Sequence, residues 1–210
     1  MFYVRETPWH GLGTKVNEAP DSRTALTAAG LDWEVLQESI HMADGKPIGG
    51  YKVNVRNTDR RVLGVVSDRY KIVQNREAFA FTDALLGEGV RYETAGSLQE
   101  GKKVWLLAKL PHEYIISGDR ISPYLVFFNY HDGSGAIKAA LTPIRVVCQN
   151  TLNLALSSAK RSWSMIHTGD MRGKIEEAMD TLLLAETYLD SLGKAFDVLR
   201  GKKLTEKQVK

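Results

Sequence analysis

The sequence predicts an α+β fold: a central antiparallel β-sheet with flanking helices and a long C-terminal helix. Three observations predict it. Short alternating runs return on themselves across turn residues, notably Tyr51–Val55 with Val62–Val66, Val90–Leu98 with Lys103–Leu110, and Tyr124–Tyr130 with Ala136–Val147. Two segments, Asn75–Leu85 and Asn150–Ala159, instead space their apolar residues by three and four behind an amide able to cap the first turn. Beyond Met171, Ile175, Ala178, Leu182, Ala185, Leu189, Leu192, Phe196 and Leu199 recur at alternating intervals of three and four, a heptad seam that suits one long helix.

The N-terminal segment Pro8–Val16 (PWHGLGTKV) mixes glycine, tryptophan and histidine without a period and reads as an ordered arm. Its GLGTK lacks the spacing of a phosphate-binding loop. Ser22–Ala29 reads as a short helix stopped by Gly30, and Trp33–Ile40 as extended chain. From Tyr51 to Arg56 the alternation assigns Tyr51, Val53 and Val55 to the core and Lys52, Asn54 and Arg56 to the outside. Asn57–Arg61 is then an exposed, polar hairpin tip.

Asn75 is the expected cap of a helix whose Ala78, Phe81, Thr82 and Leu85 share a face, with Gly87 and Gly89 as its stop. The next hairpin turns at Gln99-Glu100-Gly101 and ends at Pro111, which removes a ladder donor. Tyr124–Tyr130, the turn His131-Asp132-Gly133-Ser134-Gly135 and Ala136–Val147 complete a four-strand meander between two helices. Asn150 is the expected cap of the second helix, with Leu152, Ala155, Leu156 and Ala159 as its apolar face and Asn153 supporting the junction. Arg161–His167 reads as a short edge strand. The expected organisation is a core domain over residues 1–169 and a long helix with the start of a further segment over 170–210. Thr205 and Gln208 have capping-box spacing just before Lys210, so the natural protein is expected to continue.

At 210 residues and 43% apolar content the chain can build one sizeable core. A net charge of +3 permits an anionic partner without requiring one. The N-terminus MFYVRETPWHG has no basic region followed by an apolar run, and no apolar stretch reaches the roughly 18 residues that span a bilayer. A cytoplasmic protein with no membrane partner is expected. Lone Cys148 has no thiol companion for a disulfide or a zinc site and reads as a small buried residue. The histidines His10, His41, His112, His131 and His167 stand singly, with no HxxxH or HExxH pair. No serine lies in a G-x-S-x-G elbow, and Glu176-Glu177 falls on the solvent side of the heptad helix. No catalytic constellation, metal site or cofactor is expected.

Basic residues carry more information. Lys52, Arg56, Arg60, Arg61, Arg69, Lys71 and Arg76 face only Asp59 and Asp68 in their segment, and Gly133–Gly169 holds no acidic residue at all. The second segment supplies Lys138, Arg145, Lys160 and Arg161, and the aromatics Tyr70, Tyr130 and Trp163 lie close by in sequence. Cations that follow phosphates, beside rings that stack on bases, suit a single-stranded nucleic acid. The competing reading is of solvated strand faces and ordinary core aromatics.

Five stretches extend this picture: PWHGLGTKV (Pro8–Val16), GLDWEV (Gly30–Val35), VLGVVSDRYKIVQNREAF (Val62–Phe79), YETAGSL (Tyr92–Leu98) and TPIRVVCQNTLNLAL (Thr142–Leu156). Together, and in this order, they resemble the phage/plasmid-like protein family known as a domain of unknown function, a likeness spanning Pro8 to about His167. That resemblance implies a mobile-element gene and supplies no reaction. In topology, the helix–meander–helix order is similar to the core of single-strand annealing proteins, the eukaryotic Rad-type annealer and the phage Erf, RecT and Redβ proteins. This second resemblance implies a β-β-β-α-type core and an ATP-independent oligomer that holds single-stranded DNA in a basic groove with its bases free to pair.

The leading expectation is therefore a phage-type, oligomeric protein for single-stranded DNA binding and annealing in recombination, with RNA as the other candidate strand. Arg60, Arg61, Arg69, Lys71, Arg76, Lys138, Arg145, Lys160 and Arg161 would contact phosphates, and Tyr70, Tyr130 or Trp163 would stack. A second expectation is a mobile-element protein-binding module, such as a host-defence inhibitor with a host protein partner. A nucleic-acid-modifying enzyme ranks last.

Overall fold

The computed structural model describes residues 1–8, 11–87, 90–110, 114–116, 119–159 and 162–168, together with Lys174, Glu177, Ala178 and Asp180. In chain order the elements are β1 (Phe2–Val4), β2 (Thr14–Val16), α1 (Ser22–Ala28), β3 (Val35–His41), β4 (Pro47–Arg56), β5 (Val62–Ser67), α2 (Asn75–Leu86), β6 (Arg91–Leu98) and β7 (Lys103–Lys109). They continue as β8 (Tyr114–Ile116), β9 (Asp119–Ile121), β10 (Tyr124–Tyr130), β11 (Ile137–Thr142), α3 (Gln149–Ser158) and β12 (Ser162–Met165).

The fold is α+β. Its main sheet has seven strands in the order β12-β11-β10-β7-β6-β1-β2 and is mixed, because β1 runs parallel to β2 and antiparallel to β6. The meander β6-β7-β10-β11 follows the sequence expectation, with the hairpin β8–β9 inserted between β7 and β10. A separate three-stranded sheet, β3-β4-β5, stands beside it. The expected edge strand is present as β12, paired antiparallel with β11.

Directly opposed residues point to one face of a sheet, so the register sorts the core into two layers. On one face Phe2, Ala95, Leu106, Phe127 and Ala139 pack with α1, α2 and the small sheet, through Ala25, Ala78, Phe81 and Leu63. On the other, Trp105, Leu107, Val126, Phe128 and Ala140 pack with Leu152 and Ala155 of α3. Of the expected C-terminal helix, the four described residues are helical, and Ala178 is buried in the first layer. The remainder of the heptad seam and the expected segment boundary lie outside the described residues.

Several local expectations are corrected. Asn75 does not cap α2. Gln74 does, its backbone N–H donating to Glu77 Oε2 at 2.7 Å, while Asn75 is the first helical residue and is buried. Likewise Cys148, not Asn150, is the N-cap of α3, and the Thr151 hydroxyl accepts from its backbone N–H at 3.0 Å. Cys148 is accordingly half-buried rather than a core residue.

The faces of β4 also depart from the expected alternation, although Val55 is buried as expected. Asn54 is fully buried and its amide donates to the His131 carbonyl at 2.7 Å, while the Arg56 guanidinium sits 5.3 Å over the Trp33 ring. Tyr51 points outward. Bulges between Ser39 and Ile40 and between Asn54 and Val55 break the simple alternation, which is how Val55 and Asn54 both end up buried.

Candidate nucleic-acid interface

The sequence singled out twelve residues, and the fold separates them. Arg60 pairs with Glu38 at 2.5 Å, Arg76 with Glu34 at 2.8 Å, and Arg61 with both Asp59 and Glu100. Arg56, bonded to Asp59 through two nitrogens, holds that carboxyl below the usual carboxylate range. These cations are largely neutralised within the chain. The hairpin tip is an intramolecular ion network rather than a free basic surface.

Arg145 is a structural residue. Glu93 sits at a bulge between Tyr92 and Thr94 and is only 1% exposed. Its carboxylate receives Arg145 Nε at 3.1 Å and an Arg5 guanidinium nitrogen at 2.5 Å. Arg145 further donates to the carbonyls of Val4 and Glu6. A buried carboxylate needs such partners, and here they fasten β1 to the segment that leads into α3.

Two of the three aromatics are also interior. Trp163 is 4% exposed and stacks on Phe81, with ring centroids 5.3 Å apart. Tyr70 is 7% exposed, donates its hydroxyl to the Tyr130 carbonyl at 2.5 Å and stacks on His167 at 4.3 Å. Burial, with the Asp132 carboxylate as a lesser cause, raises the Tyr70 phenol and keeps it protonated. In this fold neither ring can stack on a base. Lys160 and Arg161 lie outside the described residues.

Tyr130 and Lys138 remain, and the register brings them together. Tyr130 opposes Lys103, Phe128 opposes both Trp105 and Lys138, and Lys138 opposes Ser164. All share the α3 side of the main sheet. The Phe128 ring packs edge-on to Tyr130 at 4.6 Å, and Lys103 Nζ lies 5.6 Å from the Tyr130 ring centre. The result is a half-exposed strip, Lys103–Tyr130–Lys138, bordered by the exposed Ser162 and Ser164. Neither lysine pairs with a carboxylate among the described residues. Lys103 was not singled out in the sequence; its alternation with Trp105 in GKKVW was the available signal.

The turn between β10 and β11 holds this strip in place. A methyl group on Gly135 would meet the Tyr130 ring at 2.8 Å, and one on Gly133 would meet Val66 at 2.9 Å. Gly133 also has φ +73°, a conformation that favours glycine. Gly64 approaches the Asp132 backbone so closely that a Cβ would lie 2.6 Å from its Cα. The turn is thus wedged between the two sheets. Beyond it a cleft of about 450 Å³ opens between Ser67–Tyr70, Gly133–Ala136 and Ile166–Thr168, near the exposed Arg69 and Lys71, which have no ion pair among the described residues.

The fold also gathers two histidines that stand apart in sequence. His131 is fully buried, with Nε2 3.0 Å from Asn75 Oδ1, and His167 Nδ1 lies 3.0 Å from the Lys71 carbonyl. Burial, reinforced by the neighbouring His167, pushes His131 down to about 3; burial also lowers His167. Among the described residues no three His, Cys, Asp or Glu side chains come together as a metal site, and no helix is long and apolar enough to cross a membrane.

Comparison with curated proteins gives no match, and neither does comparison with solved structures. The family model described as a domain of unknown function (DUF932) matches residues 62–210, which include the α2, β6–β7 and β10–α3 segments that build the strip and its supports. The match covers well over half of the chain, and the chain belongs to this family.

Proposed function

We propose that the protein binds single-stranded nucleic acid, DNA in the first instance, and anneals complementary strands as a mobile-element recombination factor. The observation that carries this reading is the Lys103–Tyr130–Lys138 strip: two lysines with no carboxylate partner among the described residues flank a half-exposed ring on a sheet surface. Lysines on either side neutralise backbone phosphates, and a ring between them offers every base the same π face, so binding is independent of sequence. Bases held by one face keep their pairing edges open to a complementary strand. Arg69 and Lys71, exposed beside the cleft at the 131–135 turn, are further candidate phosphate contacts.

The test is fluorescence anisotropy with a labelled oligonucleotide across a salt series. The double variant Lys103→Ala/Lys138→Ala is expected to flatten the log–log salt slope by about 1.4, roughly 0.7 for each lost phosphate contact on a single strand. Tyr130→Ala is expected to weaken binding by about 5- to 150-fold, the equivalent of roughly 1–3 kcal/mol per stacked base, with little change in slope. An unchanged slope in the lysine double variant removes the strip from the site.

A further inference from the structure

Nine large apolar side chains are exposed among the described residues, and five of them lie in the strands of the small sheet. In its cross-strand rows Leu36 and Val62 flank the buried Val55, and Glu38 and Val65 flank the half-buried Val53, so the exposed apolar area of the outer face comes from the two outer strands. Val65 is 59% exposed, Val62 55% and Leu36 39%. Past these rows, residues 41–51 are exposed throughout, so the β3–β4 hairpin projects beyond the body and carries Ile48 and Tyr51 with it. A solvated apolar sheet face of this kind marks a contact surface.

We infer that this face stacks against the same face of a second copy of the chain, the two small sheets packing as a sandwich about a two-fold axis. The charges around it select that occupant. Glu38 with Arg60, Asp59 with Arg61, and Arg61 with Glu100 form exposed pairs of opposite sign. A nucleic acid would find these cations already occupied, and a strongly charged protein would find no matching field. An identical face finds both signs, and an isologous contact lets each pair exchange partners across the axis. Ladder hydrogen bonds already satisfy the strands' backbone inside the sheet, so stacking requires only side-chain burial, with sheets about 10 Å apart. The strip bearing Tyr130 lies on the main sheet and stays open in such a dimer.

Multi-angle light scattering across a hundredfold range of protein concentration tests the inference. Wild type is expected at twice the chain mass at the upper end, Leu36→Glu/Val65→Glu at the single chain mass throughout, and Leu154→Glu, an exposed site on α3, at the wild-type mass. Far-UV circular dichroism checks that each variant folds; both substituted positions are solvent-facing, so folding is expected to be retained. A wild type that is monomeric throughout overturns the inference. So does an oligomer that survives Leu36→Glu/Val65→Glu or that Leu154→Glu dissolves. Oligonucleotide binding by a monomer would overturn the dimer and leave the proposed function standing, because the two use different surfaces.

Discussion

Acidification should destabilise this protein through one buried ring. Asn75 Nδ2 donates to the Leu31 carbonyl at 2.9 Å, which turns its Oδ1 toward His131 Nε2. Nε2 must therefore carry the ring proton, leaving Nδ1 bare, and Nδ1 has no hydrogen-bond partner among the described residues. A second proton would put an unpaired N–H and a charge in the interior, facing His167 and edge-on to the Trp33 ring at 5.4 Å, with Asp132 as a lesser attraction. The folded pKa of about 3 lies below the unfolded value near 6.5, so between them the unfolded chain binds a proton that the folded chain refuses. Stability is complete above about pH 6.5 and falls as pH drops, by about 1.4 kcal/mol per unit once well below 6.5. From pH 6.5 to 4.5 the ring alone removes on the order of 2.5 kcal/mol, and His167, lowered in the same direction, adds to the loss. Urea unfolding at half-unit pH steps measures this directly. His131→Gln, which retains an amide donor for Asn75, should start less stable at pH 7 yet lose less on acidification. Equal pH slopes in the two proteins would show that the buried His131 ring is not the source of the acid sensitivity.

Two further predictions concern the supports of the site. Arg145→Met leaves the Glu93 carboxylate buried with Arg5 as its remaining charged partner, and thermal denaturation should report a loss of about 3–5 kcal/mol. Gly135→Ala places a methyl group 2.8 Å from the Tyr130 ring, so the half-exposed ring must swing aside; little loss of stability but weaker oligonucleotide binding is expected, read by urea unfolding and anisotropy.

The meander was legible because its strands are local, alternating and separated by glycine turns, and β12 was legible as the next short run. β1 was not: three residues, Phe2–Val4, are too few to show a period, and their partners Thr14–Val16 and Thr94–Ala95 are set by packing. In β4 the alternation identified two faces without revealing which turned inward. Trp33 and the His131 carbonyl decided that, by drawing Arg56 and Asn54 toward the body. The caps were misplaced by one and two residues, since the backbone N–H groups of Gln74 and Cys148 donate to the Glu77 carboxylate and the Thr151 hydroxyl, a pairing that an amide-cap pattern does not show.

Within the candidate site, local charge counting recovered Lys138 and sequence proximity recovered Tyr130. It could not see that Glu34, Glu38 and Glu100, far away along the chain, neutralise Arg76, Arg60 and Arg61. Nor could an acid-free stretch around Arg145 reveal that Glu93 waits for it across 52 residues. Basic content in a segment measures charge per residue; a phosphate responds only to the charge left unpaired after folding.

In the proposed function, a strip that holds single strands with their pairing edges open lets the protein join complementary strands unaided. The most direct measurement is the annealing rate of two labelled complementary oligonucleotides, without nucleotide or added metal, over a salt series, for wild type and Lys103→Ala/Lys138→Ala. Wild type is expected to accelerate annealing, by less as salt rises, and the double variant to have a much smaller effect. No acceleration and no binding at low salt would contradict the proposed function.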